Sequence, residues 1–210
     1  MGALTRGHAA LWSGDLTASY APELKLVGVA AAAPAIELAS LFKDDRSTSA
    51  GQVFTALALL SWSRVYGAEL DAIIDADKLR YVNWIGDECL TSRFDLFIDS
   101  MAIRFIKKQF LKSNPVKTEP WSEFIVRNTP VRRPPNAPIL LAQGRDDRLI
   151  IPALTQDFAK ALCQNGGVVQ VLEMKADHLS IAQLSANSVI DWIVGRFADK
   201  PAPTTCASKK

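Results

Sequence analysis

The chain of 210 residues carries 24 Lys and Arg against 22 Asp and Glu, a formal net charge of +2, and 49% of its residues are hydrophobic. That much apolar material at so low a charge excludes a disordered chain, and the balance lacks the basic stripe of a nucleic-acid binder. No run reaches the ~18 uninterrupted apolar residues of a membrane span, which leaves a globular domain with room for a cap.

The opening MGALTRGHAALW has no apolar core of signal-peptide length, so no export signal is visible. Residues 7–20 read as a helix leading into the apolar run LKLVGVAAAAP, residues 24–34. Between about 41 and 130 the pattern is helical, with QVFTALALLSWSRVYG and FDLFIDSMAIRFIKKQF as its longest segments. The second of these sets Phe94, Phe97, Ile98, Met101 and Phe105 on one face. After the bend VRRPPNAP come a second apolar run, APILLAQGRDD (137–147), and a helix over 153–163 with Leu154, Phe158, Ala161 and Leu162 on one side. A third run, GVVQVLEMKADH (167–178), is followed by a helix from Leu184 to Phe197 with Val189, Ile190, Ile193 and Phe197 at helical spacing. The three runs are almost continuously apolar, as expected of strands buried on both faces of a parallel sheet. The predicted organisation is therefore a parallel α/β core over 7–40 and 131–198, a helical cap or lid over 41–130, and a flexible tail over 199–210.

Two ionisable residues sit at carboxyl ends of predicted strands, where ligand sites of parallel sheets gather. Asp147 ends the second run and His178 the third, 31 residues apart, or one strand–helix–strand unit. A carboxylate accepting from one imidazole nitrogen leaves the other to take a proton from a nucleophile. Each also has a plain reading: Asp147 as a helix cap or loop residue, His178 as a loop histidine bonded to backbone. Asp146 competes for the acid role, and Asp177 reads as a turn residue. A matching G-x-S-x-G nucleophile elbow is absent. Ser49, in STSAG, lacks the first glycine and falls in the helical insertion, and Ser13 lies inside the first helix. The cysteines, Cys89, Cys163 and Cys206, are odd in number and form no C-x-x-C. With His8 and His178 the only histidines, no metal site and no cofactor is expected.

The run GHAALWSGDLTASYAPELKLVGVAAAAPAIELASLF, residues 7–42, resembles the secretory lipase family of α/β-hydrolases. Members of that family read approximately GHSQGGHAALW at the elbow, then a helix, then a PELKLVGVAAAAPA strand. The NTP at 128–130, PILLAQGRDDRLIIPALTQDFAKALCQNGG and VLEMKADHLS agree, so the resemblance covers residues 7–198. It implies a partial α/β-hydrolase fold, Asp147 as catalytic acid and His178 as base. It sets Gly2 on the first elbow glycine, Leu4 on the nucleophilic serine, Thr5 on the oxyanion-donating residue and Arg6 on the next glycine. Leu4 has no nucleophilic atom. His8, matching an elbow-helix histidine, is expected to be structural.

The resemblance implies a lipase or carboxylesterase acting on lipid or ester substrates, secreted, and represented here by its C-terminal part, without turnover of its own. On that view the strand around Lys25–Ala31 has an open edge, a predicted aggregation site, and Cys89 has lost its partner with the missing half. The alternative is a non-catalytic pseudo-hydrolase that binds an apolar ligand or a protein. A peptidase or dienelactone-type hydrolase is a third, weaker reading. Oligomeric state is not legible in the sequence.

Overall fold

Parallel pairing of the three apolar runs organises the core. In the computed structural model, residues 3–44, 49–87 and 110–207 are described, the side chains of 3–5, 44, 49 and 50 excepted. Strands β1 (Val29–Ala32), β2 (Ile139–Gly144) and β3 (Val169–Met174) lie side by side in that order. Val29 pairs with Ile139 and Ile139 with Val169, so all three strands start level and run parallel. Only β2 is buried throughout, because among the described residues it alone has a strand on each side. β1 alternates, and β3 exposes Glu173. The expectation of two fully covered faces therefore holds for the central strand only.

Strand alternation sorts the apolar side chains onto two faces. One face presents Val29, Ala31, Ile139, Leu141 and Val169 to Leu11 of α1 (Ala3–Tyr20) and to Phe158, Ala159 and Leu162 of the Pro152–Gln164 helix. On the other face, Ala142 joins Ala33, Ala176 and Ile181 in a smaller cluster. These elements make up the unit Gly2–Ile36 with Pro130–Lys210.

In the second unit, Glu37–Thr129, the regular elements among the described residues are helices, with one isolated bridge, Ile74 to Leu111. It contains α2 (Leu38–Asp44), α3 (Ser49–Tyr66), α4 (Leu79–Asp87) and α5 (Trp121–Asn128). Leu59, Ile73, Ile74, Val82, Ile85 and Trp121 are fully buried in it, and the Phe42 and Trp62 rings stack at 5.4 Å. The helix predicted over 94–110 lies, save Phe110, outside the described residues, as does Cys89.

The remaining helices are α6 (Pro152–Gln164), α7 (Ile181–Leu184) and α8 (Ala186–Phe197). In α8 the apolar residues have the predicted spacing but not the inward direction. Ile190, Ile193, Val194 and Phe197 are exposed, whereas Trp192, Gly195 and Arg196 are buried. Trp192 fits because Gly28 has no side chain: a Cβ there would lie 2.7 Å from the indole.

The C-terminal segment, expected to fray, is held along β3. Thr205 N–H donates to the Val169 carbonyl at 2.8 Å, and the Val171 N–H donates to Thr205 Oγ1 at 3.1 Å. A Cys163–Cys206 disulfide locks it to the end of α6 across 43 residues of chain. Near the other terminus, His8 Nδ1 hydrogen-bonds the Ala35 carbonyl at 2.8 Å, joining α1 to the segment leaving β1.

Two outcomes follow. Closing a loop of 43 residues is worth about 4 kcal/mol by chain entropy; urea melts with and without reductant should show a loss of that order, and unchanged midpoints would contradict it. Burial lowers the His8 pKa from its ordinary 6.5, the Ala35 hydrogen bond opposing it only in part. The unfolded chain therefore takes up this proton first, so stability is full above the ordinary value and falls as pH drops toward the lowered one. His8→Gln should flatten the decline in urea midpoint from pH 7 to pH 5 relative to the native chain.

Candidate active site

At the carboxyl end of β2 the chain turns so that it hugs the exit of β3. Arg145 N–H donates to the Met174 carbonyl at 2.8 Å and Asp146 N–H to the Ala176 carbonyl at 3.0 Å. Gly144 permits this approach, since a Cβ there would strike the Ala176 carbonyl group. The turn carries Asp147 inward, 3% exposed, and leaves Asp146 in solvent.

Asp147 uses its two oxygens differently. Oδ1 accepts the backbone N–H groups of Leu149 and Ile150, both at 2.9 Å. Oδ2 lies 2.8 Å from Nδ1 of His178, which is itself 3% exposed. The loop role and the acid–base geometry thus coexist in one carboxylate. A carboxylate can only accept, so Nδ1 carries the proton and donates it, and the neutral ring keeps its lone pair on Nε2. Nε2 is buried as well.

His178 is set by the turn that follows β3. Oδ1 of Asp177 accepts the N–H of Leu179 at 3.1 Å, the N–H of Ser180 at 2.8 Å and the Ser180 hydroxyl at 2.6 Å. Asp177 is exposed and holds the turn, as expected of it.

A third residue, not singled out from the sequence, ties this loop down. Gln143, fully buried in β2, donates from Nε2 to the carbonyls of Ile150 at 2.9 Å and Gly144 at 3.0 Å. Its Oε1 accepts the hydroxyl of Thr155, also fully buried, at 2.6 Å. Ile150 is therefore gripped at both backbone groups, its carbonyl by Gln143 and its N–H by Asp147. The available signal was an amide interrupting the apolar run just before Gly144.

The remaining candidates do not join this cluster in any described contact. Ser13 donates to the Ala9 carbonyl at 2.9 Å within α1. Leu4 and Thr5 lie in the first turn of α1 and Ser49 starts α3, their side chains outside the description, and Gly2 is outside it altogether. Among the described residues no group of three or more His, Cys, Asp or Glu is arranged to hold a metal.

Gln143→Leu orphans the Thr155 hydroxyl and the Ile150 carbonyl in the interior and should cost about 2–4 kcal/mol in urea denaturation. Thr155→Val alone should cost less, and the double variant less than the sum, because the two share one hydrogen bond. Strict additivity would contradict the network.

The structure is similar to Candida antarctica lipase A, with a TM-score of 0.74 at 17% identity over 95% of this chain and 48% of that one. It is also similar to the rice cell wall degrading esterase LipA from Xanthomonas oryzae, with a TM-score of 0.66 at 21% identity over 91% of this chain and 55% of that one. At such identities the likeness establishes the fold, that of the α/β-hydrolases, and the chain spans about half the length of these structures. No curated protein sequence matches it. The secretory lipase family model matches residues 2–205, and the chain belongs to that family.

Proposed function

We propose that this chain derives from a carboxylic ester hydrolase of the lipase type in which His178 is the general base and then the general acid, and Asp147 orients it and offsets the charge of the imidazolium. The observation that supports this reading most is the buried 2.8 Å contact between His178 Nδ1 and Asp147 Oδ2. In the corresponding reaction a serine attacks the ester carbonyl while His178 Nε2 takes the hydroxyl proton. The same proton passes to the departing alcohol, and water then releases the acyl group by the reverse sequence. Asp147 keeps the imidazole in place meanwhile, its second oxygen held by Leu149 and Ile150.

Leu4 occupies the position matched to the nucleophile, so the chain as it stands turns over no ester. The names of the similar structures, a lipase and an esterase, favour lipid and other carboxylic esters as the substrate class. The helical unit Glu37–Thr129 is proposed as the cap that selects the acyl chain. Secretion is the proposed destination, and the Cys163–Cys206 bridge suits an oxidising compartment. No described helix is long and apolar enough to cross a membrane. A non-catalytic pseudo-hydrolase is the second reading, favoured by Leu4 itself.

Short- and long-chain p-nitrophenyl esters test both. The native chain should hydrolyse them at background rate and resist labelling by a fluorophosphonate. Leu4→Ser should raise turnover above background, and adding His178→Ala should abolish the gain. Serine-type turnover by the native chain would overturn the assignment of Leu4, and a gain indifferent to His178 would overturn the base.

A further inference from the structure

Between Asp177 and Ser180 the chain closes a ring of hydrogen bonds around His178. The Asp177 N–H donates to Ser180 Oγ at 3.1 Å. In return, the Ser180 N–H and hydroxyl donate to Asp177 Oδ1 at 2.8 Å and 2.6 Å. Such reciprocity is that of a helix capping box, with serine in place of the usual glutamate or glutamine. A hydroxyl can serve there because it gives one proton and accepts on a lone pair at once. The Ile181 N–H donates to the Asp177 carbonyl at 3.1 Å and completes the turn, which encloses His178 and Leu179.

The inner side of this loop has a different anchor. Ala176 before it and Ile181 after it are buried in one small cluster with Ala33 and Ala142. Beyond Ile181 the chain holds itself. The buried Ser185 hydroxyl donates to the Ile181 carbonyl at 2.7 Å, and the Leu184 N–H donates to the Ser180 carbonyl at 2.9 Å. Neither bond uses Ser180 Oγ, so what that hydroxyl constrains is the backbone of residues 177–180 rather than α7. The constraint matters for His178, whose Nδ1 must meet a buried carboxylate oxygen at 2.8 Å. Two side-chain torsions aim the ring, and they aim it correctly only from a fixed backbone.

We infer that Ser180 is a positioning residue for the base: acting through Asp177, its hydroxyl fixes the backbone of His178 and with it the line of the Nδ1–H onto Asp147. This rests on the proposed role of His178. Asp147 sets the imidazole from the β2 side, and the Asp177–Ser180 ring sets it from the β3 side. Ser180 must both donate and accept; threonine can do both, whereas valine has the same shape and can do neither.

Proton NMR of the full chain tests this by comparing Ser180→Val with Ser180→Thr, reading solvent exchange of the His178 Nδ1 proton. Ser180→Val should speed exchange about tenfold, the worth of one hydrogen bond to a charged group, and Ser180→Thr should keep the native rate. Ser180→Ala, which removes the hydroxyl without adding methyl groups, should match Ser180→Val. The Leu184 and Ser185 amides should stay protected in all three. Native exchange in both hydroxyl-free variants would overturn the inference. Equal loss of protection at His178, Leu184 and Ser185 would overturn it too, as the mark of a purely structural role. Asp147→Ala separates the two claims: if it releases a protected native proton while Ser180→Val does not, the acid–base reading stands and the inference alone falls. A native proton that exchanges freely overturns both.

Discussion

Gln143 pairs with Glu173 and Gly144 with Met174 in parallel register, so the chain leaves β2 and β3 at the same level of the sheet. Both exits then bend toward each other, one through backbone bonds to Met174 and Ala176, the other through the Asp177 turn. What this register delivers is a carboxylate and an imidazole that meet without either lying on a flexible stem. The meeting is exacting because both groups are almost wholly buried: an unpaired charge there is costly, so the low-energy arrangement is the one in which they face each other.

The supporting interactions explain why Asp147 keeps one oxygen for His178. Two N–H groups occupy Oδ1, and Gln143 holds the carbonyl of the residue whose N–H is one of them. Thr155, at the start of α6, locks Gln143 in turn. Orientation is thus passed from a helix through a strand amide to the loop and only then to the carboxylate, a chain of hydrogen bonds within one compact unit.

The parts legible in the sequence are those where composition changes sharply. Asp147 and His178 could be found because apolar runs end at them, and the strands because β-branched and aliphatic residues cluster between turn residues. The rest depended on tertiary contact. Gln143 reads as a blemish in a strand until its three partners are known. Arg196 reads as solvent-facing by its charge alone, and its burial beside Trp192, one turn earlier on the same face of α8, follows from the room that Gly28 leaves. The ordered tail was hidden twice: its Pro and Thr content suggests fraying, and three cysteines do not reveal which two will bond.

The Asp147–His178 hydrogen bond is tested most directly by proton NMR of the imidazole. The account predicts a slowly exchanging ring N–H resonance, far downfield of the backbone amides, assigned to His178 Nδ1 and lost in Asp147→Ala while the fold persists. A His178 ring proton that exchanges freely with solvent in the native chain, or one indifferent to loss of the carboxylate, would contradict it.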